Sequence, residues 1–251
     1  MLFFCKLSFL YFDYIKLKGR DKLKEPRLFK LDERLMSCAE FVRENSKIAD
    51  VGTDHAYLPI YLIKTGKIQH AIASDIRKGP LLNAEKNLDK YHLLDKVDLR
   101  LSDGLEKIKK EEVDDIIIAG MGGEIIVNIL SKVDWIKDIN KRLILQPMSM
   151  EEKVRKFLYK EKFKIIGEKI TISENKIYNV MCAEFCGKDY EITELYPYIG
   201  FLENNLTEET KIYINKKINS LKNQSKGLMK EKDLSSYEKI NSIIKKLENL
   251  I

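Results

Sequence analysis

Short apolar runs that suit strands alternate along the chain with longer stretches whose apolar residues recur on one helix face. Leu31, Leu35, Cys38, Ala39 and Val42 step at helical spacing across 31–44, and residues 47–51 follow as a first strand. A helix is predicted over 57–65, with Pro59 in its first turn, where a missing N–H is tolerated. The run 71–73 ends at Ser74-Asp75, and Gly79-Pro80 then opens a helix to about Tyr91. Residues 97–101 form a third strand, closed by Ser102-Asp103-Gly104. Residues 114–119 are the most apolar run and hence a central strand, ending in Gly120-Met121-Gly122-Gly123 and a helix to about Val133. A fifth strand, 142–145, is stopped by Gln146-Pro147 and followed by a helix over 151–161. Beyond it, 163–172 and 176–185 are β-rich runs joined by Ser173-Glu174-Asn175, a hairpin signal.

Residues 190–251 are helical in pattern throughout. Ile214, Ile218, Leu221, Ser225 and Leu228 form one narrow stripe, and Tyr237, Ile240, Ile244, Leu247 and Ile251 another. Such stripes predict an antiparallel helical hairpin or coiled coil, with Ser235 and Glu238 as a capping box opening the last helix. The whole pattern reads as an α/β, Rossmann-like doubly wound sheet with a terminal antiparallel hairpin, the mark of a class I methyltransferase sheet, plus a C-terminal coiled-coil-like element. The expected divisions are an N-terminal extension (1–30), a catalytic domain (31–187) and a helical hairpin (188–251). A chain starting near Lys30 is expected to fold and stay active.

Composition narrows the partners. Of 251 residues 33% are charged and 44% hydrophobic, a globular balance. The net charge of +6 is concentrated early, since residues 1–30 hold 8 basic against 3 acidic residues. The rest is nearly neutral, so any RNA surface must be a local patch. The opening apolar run, interrupted by Lys6, is too short to span a membrane and lacks a clear cleavage site, so a cytoplasmic protein is expected. Cys5, Cys38, Cys182 and Cys186 include no C-x-x-C pair. Cys182 and Cys186, four apart on one strand, would lie roughly 13 Å apart, beyond disulfide reach. With three histidines in all, no metal site is expected.

Ligands of such a sheet lie beyond the carboxyl ends of its strands. The chain places there Asp50, Gly52, Thr53, Asp54 and His55; Asp75; Ser102, Asp103 and Gly104; and Gly120 and Met121. Asp54 occupies the position of the second glycine of a dinucleotide fingerprint, where a carboxylate repels pyrophosphate and attracts a cationic ligand such as S-adenosylmethionine. The following helix start offers amide N–H groups to a carboxylate or phosphate. Asp75 is placed for ribose hydroxyls and Asp103 for an adenine amino group. Asp54 is the strongest candidate for function, because an acid at the mouth of an apolar strand is costly unless used. His55 suits a base or a packing role equally, and Tyr57 a stacking or a core role.

The motifs Asp50-Val-Gly-Thr-Asp-His-Ala-Tyr-Leu-Pro59, Gly79-Pro80, Ser102-Asp103-Gly104-Leu105, Ala119-Gly-Met-Gly-Gly123 and Leu143-Ile-Leu-Gln-Pro147 together closely resemble the bacterial tRNA adenine-22 N1-methyltransferase (TrmK) family, from about Leu31 to the end. The resemblance implies S-adenosylmethionine as donor and tRNA as acceptor. Three departures stand out: Asp75 where glutamate is more usual, Met148 where asparagine is common, and residues 1–30 without counterpart. In the implied reaction Asp54 would favour the charge developing on the base, with His55 and Tyr57 orienting or stacking it. Lys211, Lys216, Lys217, Lys222 and Lys226, or Lys153, Arg155, Lys156 and Lys160, could grip phosphates or simply be a solvated face. A monomer or a weak dimer through the C-terminal helices is expected. Competing readings are a methyltransferase of another RNA, a small molecule or a protein, and a non-catalytic RNA-binding protein; an NAD-dependent oxidoreductase is disfavoured by Asp54.

Overall fold

In a computed structural model describing residues 26–251, the strands assemble as one seven-stranded sheet. In chain order the elements of the α/β unit are α1 (Glu33–Phe41), β1 (Ile48–Val51), α2 (Tyr57–Lys64), β2 (Ala71–Asp75), α3 (Lys78–Lys90), β3 (Val97–Leu101), β4 (Asp115–Gly122), α4 (Gly123–Ser131), β5 (Arg142–Ser149), α5 (Glu151–Lys160), β6 (Phe163–Ser173) and β7 (Lys176–Phe185). After them come a single turn, α6 (Tyr196–Ile199), and two long helices, α7 (Glu208–Glu231) and α8 (Leu234–Glu248). Strand order is β3-β2-β1-β4-β5-β7-β6, parallel from β3 to β5, with β7 antiparallel to both neighbours.

The central strands are apolar on both faces because helices cover both. Ile116 and Ile118 of β4 face a core with Ile126 and Leu130 of α4 and Val154 and Leu158 of α5. Ile117, between them, faces Cys38 of α1, Ile60 of α2 and Leu88 of α3. Leu28 and Phe29 pack onto this second core, and Tyr91 donates a hydrogen bond to the Arg27 carbonyl at 3.4 Å. The packed unit therefore begins ahead of the boundary expected at residue 31; residues 1–25 of the expected extension lie outside the described residues.

Three sequence expectations shift. β5 runs through Pro147 to Ser149 instead of stopping at Leu145. Pairing with β7 ends at Leu145, so beyond it Pro147 has only β4 beside it and no ladder on the other side loses a donor. β4 likewise continues through Gly120 and Met121 to Gly122, with register shifts on either side of Met121, so the glycines are a bulged strand end and not a loop. The last helix is capped by Asp233, whose carboxylate accepts the Ser236 amide at 3.1 Å, in place of the Ser235–Glu238 box. Lys232, in the left-handed region, ends α7 and leaves Asp233 at the cap position. β7 ends one residue before Cys186, and Cys38, Cys182 and Cys186 are free thiols.

The C-terminal helices pair antiparallel as expected. Ile214, Ile218 and Leu221 of α7 meet Ile240, Ile244 and Leu247 of α8 in a third core that includes Ile170 of β6. Ser225 and Asn241 join the helices by a 3.0 Å hydrogen bond. Residues 190–207 are not one helix: Pro197, Gly200 (φ +59°) and the break before Thr207 divide them into short turns. Ile251, expected in the stripe, is exposed.

A buried arginine ties this hairpin to the sheet. Arg155 of α5 has no exposed surface and pairs with Glu168 of β6, donating also to the Tyr198 carbonyl (2.8 Å) and the Tyr213 hydroxyl (3.2 Å). Burial opposes its charge, and the Glu168 carboxylate offsets this and holds the pKa above the ordinary arginine value. Glu168 Oε2 is buried with no partner among the described residues. Removing one member of such a pair strands the other in low dielectric. Arg155→Met should therefore cost about 3–5 kcal/mol in chemical denaturation, and adding Glu168→Leu should recover much of it; additive losses would show that the pair is not the tie.

Candidate active site

The strand order reverses between β1 and β4, and their carboxyl ends form the crevice where such sheets bind ligands. Asp50, next to last in β1, is buried there. Gly52 follows at φ +82°, and its amide and that of Thr53 donate to the Ser74 carbonyl at the end of β2, at 2.7 and 2.9 Å. A side chain on Gly52 would meet Cε, the flexible end of Met121, at 2.0 Å, so the β1 turn and the β4 end touch across the crevice, and the positive φ is what calls for glycine. Thr53 is buried and accepts the Ala56 amide at 3.1 Å. Three amides of this turn are thus engaged within the protein, and the turn offers a ligand fewer donors than its sequence promised.

Burial pushes the Asp50 carboxyl up to about 6, opposed by a hydrogen bond from the Thr53 side chain and by the positive charge of Arg34. The buried Asp115, at the opposite end of the sheet, differs. It accepts the Arg43 amide at 2.8 Å and Arg43 Nε at 2.7 Å, a closed structural pair. Among the described residues Asp50 has no such ion pair, which leaves its charge open to a cationic ligand.

Asp54, His55 and Tyr57 lie at the outer lip. The Asp54 side chain is 67% exposed and rests 3.2 Å from His55 Nε2. It escapes the burial that marked it out in the sequence; that cost falls on Asp50, four residues earlier. Ala56, fully buried at φ +53°, turns the chain between His55 and Tyr57, and their rings stack at 5.0 Å and 16°. A non-glycine residue held in this region is strained, and such strain is common at functional sites. Phe29 lies against Tyr57 at 4.9 Å, and Asn87 holds the His55 carbonyl at 3.0 Å. One face of an aromatic pair is thereby fixed at the crevice mouth.

At the end of β2, Asp75 is nearly buried, with Oδ1 taking the Arg77 amide at 2.7 Å. Beside it the Ser74 hydroxyl is buried with no partner among the described residues. After β3, Ser102 donates to the Gly104 carbonyl at 3.1 Å and accepts the Lys107 amide at 3.2 Å, shaping its own turn. Asp103 is held by Lys132 at 2.6 Å, so an adenine amino group would share that carboxylate. Gly120 (φ +78°) donates its amide to Gln146 Oε1 at 3.0 Å.

The structure adds to the crevice two residues that the sequence did not place there. Gln146, fully buried, also accepts Arg34 Nη1 at 3.0 Å, which brings a cation from α1 to the ends of β4 and β5. The two are 112 residues apart, and Arg34 is one charge on an amphipathic helix, with no local signal. Conversely, Arg155 is buried, Lys153 pairs with Glu124, and Lys217 with Glu151, so these leave the set of phosphate candidates. Among the described residues no cluster of His, Cys, Asp or Glu is placed to hold a metal.

The crevice suits S-adenosylmethionine on four counts: a buried carboxylate for a cation, a Ser74 hydroxyl with no partner among the described residues, a carboxylate at the end of β2, and a glycine where a side chain would fill the space. The family described as methyltransferase domain matches residues 31–181. A tRNA (adenine(22)-N(1))-methyltransferase of Bacillus subtilis is 42% identical over 160 residues, 64% of this chain and 67% of that one. The chain belongs to this methyltransferase family. The crystal structure of the B. subtilis M1A22 tRNA methyltransferase TrmK, 32% identical, aligns over 88% of this chain and 99% of its own with a TM-score of 0.78. M. capricolum TrmK in complex with S-adenosyl-homocysteine, 27% identical, aligns over 89% and 100% with a TM-score of 0.76. The family likeness thus extends through the C-terminal helices.

The raised Asp50 pKa fixes a sign. A carboxyl titrating higher folded than unfolded binds more protons in the native state, so its burden on stability is absent below about pH 4 and complete above about pH 6. Asp50→Asn should stabilise the free protein at pH 7–8, by about 2–3 kcal/mol at most, and leave it unchanged near pH 4. Thermal melts across pH check this; equal effects at both ends would refute it.

Proposed function

We propose that the protein transfers the methyl group of S-adenosylmethionine to N1 of an adenine in tRNA, position 22 as named for its relative. The observation that carries this reading is the likeness to the B. subtilis M1A22 enzyme across 88% of this chain and 99% of that one. S-Adenosylmethionine supplies a methyl group already activated on sulfonium. The protein's part is to hold the base nitrogen in line and exclude water. Alkylation at N1 leaves a cationic ring and needs no strong base, so carboxylates near the crevice assist by favouring positive charge.

In this reading Asp50 faces the donor's cationic end, Asp75 takes its ribose and Asp103 its adenine, with Gly52, Thr53, Ser102, Gly104, Gly120 and Met121 shaping the walls. Asp54 sets the field at the mouth, and the His55–Tyr57 pair receives the target base once it is turned out of its stack, as duplex-buried bases must be. Lys216 and Lys226 of α7 are exposed and, among the described residues, have no acidic partner, which favours them over the paired lysines as phosphate contacts. The apolar stripes of α7 and α8 are consumed against each other and β6, which supports a monomer. No helix of the described residues is long and apolar enough to cross a membrane, and we place the protein in the cytoplasm with its substrate.

Labelled donor and unmodified tRNA should give one methylated adenine, at position 22, and none in a transcript carrying guanine there. Methylation elsewhere, or of protein in place of tRNA, would contradict the assignment. Asp54→Ala should lower turnover at least about a hundredfold with an unchanged melting temperature, because its carboxylate is exposed; a wild-type rate would remove it from the mechanism. Lys216→Glu with Lys226→Glu should weaken tRNA binding and flatten its log–log salt slope by about 1 per lost contact. An unaltered slope would clear α7 of any role.

A further inference from the structure

A hollow of about 430 Å³ lies beside the crevice mouth, between the segment leading into α1, the start of α2 and the C-terminal turn of α3. Its volume is in the range of sites that hold small ligands. Three aromatic rings wall it: Phe29 lies 4.9 Å from Tyr57 at 59° and 5.6 Å from Tyr91 at 79°. Packing accounts for Tyr91, which is buried, but not for Tyr57, which is 40% exposed. Two lysines, Lys30 and Lys90, complete the lining. Lys90 is exposed and, among the described residues, has no acidic partner; its ammonium lies 5.5 Å over the Tyr91 ring. The one carboxylate on the wall, Asp32, is already engaged, accepting the Leu35 amide at 2.7 Å and lying 3.4 Å from Arg34. Asn87 of the same wall holds the His55 carbonyl at 3.0 Å, which ties the hollow to the His55–Tyr57 pair. The chain reaches this wall through residues 16–30, with seven basic and two acidic residues.

Aromatic rings beside unspent cations are the chemistry that holds an unpaired nucleotide, the base on the rings and the phosphate on the lysine. A base turned out of its stack also leaves its neighbours with uncovered faces. Tyr57 belongs both to the pair assigned to the target adenine and to the wall of this hollow, so the two sites adjoin. We propose that the hollow binds the nucleotide next to the target adenine, its base against Phe29 and Tyr91 and its phosphate at Lys90. Such rings accept any base, so the hollow contributes affinity and register along the strand, not a choice of sequence. Phe29 and Lys90 are thereby positioning residues: they hold the RNA strand while the crevice mouth takes the base. This inference rests on the acceptor being tRNA.

Binding of the full chain to three tRNA transcripts tests it: one intact, and two that each lack a single base, 5′ or 3′ of the target adenine. The wild-type protein should bind at least one abasic transcript about 5- to 100-fold more weakly than the intact one, the range expected for one stacked base. Phe29→Leu should bind intact tRNA more weakly and lose most of that discrimination, while binding S-adenosylmethionine as the wild type does, which shows that the variant is folded. Lys90→Gln, at an exposed position, should weaken tRNA binding and reduce its log–log salt slope by about 1, with donor affinity unchanged. The proposal is overturned if the wild-type protein binds all three transcripts alike, a result needing no variant. It is equally overturned if the missing base costs Phe29→Leu as much as the wild type, which would mark the rings as packing alone, or if Lys90→Gln leaves the slope unaltered. Failure of the wild-type protein to bind any transcript would overturn the tRNA assignment as well, and so tells the two apart.

Discussion

The structure is organised by a charge kept out of water. Asp50 ends the most enclosed part of a parallel sheet, where both faces are covered by helices and the carboxylate cannot be hydrated. A protein built only for stability would pair that acid, as Asp115 is paired with Arg43, or replace it. Here it is left with a threonine hydrogen bond and the field of one arginine, and its affinity for protons rises accordingly. Binding a cation at that point converts a cost of folding into affinity for the ligand.

The remainder of the fold holds that arrangement steady. Gly52 lets the β1 turn press against Met121, and Gly123 allows α4 to start where a side chain would strike the Ser149 and Met150 carbonyls. These close approaches bring the carboxyl ends of β1, β4 and β5 together. Arg155 performs the matching task at the far side, joining β6, α6 and α7 so that the C-terminal helices keep a defined place beside the catalytic sheet.

The alternation of strands and helices was legible because the central parallel strands are short, mostly apolar runs while the helices carry one-sided stripes. The polar strand ends were legible for a related reason: acids and glycines stand out immediately after such runs. What stayed hidden depended on partners distant in the chain. Arg34 meets Gln146 only through tertiary packing, and Arg155 reads as one basic residue among Lys153, Lys156 and Lys160 although it is the buried one. Asp54 misled in the opposite sense. Its neighbours suggested burial, yet the left-handed Ala56 swings the loop outward and the burial falls on Asp50. Pro147 reads as a stop in the sequence because a lone sequence does not show that, among the described residues, one side of β5 has no partner there.

The account turns on the state of one carboxyl group. A carbon-detected NMR titration of the Asp50 side chain, free and then saturated with S-adenosylhomocysteine, reports on it directly. The free protein should show a midpoint of about 6, and the ligand's ammonium should drive it down by more than a unit. A midpoint at the ordinary aspartate value of about 4, unmoved by the ligand, would contradict the claim that this buried charge is what the site is built around.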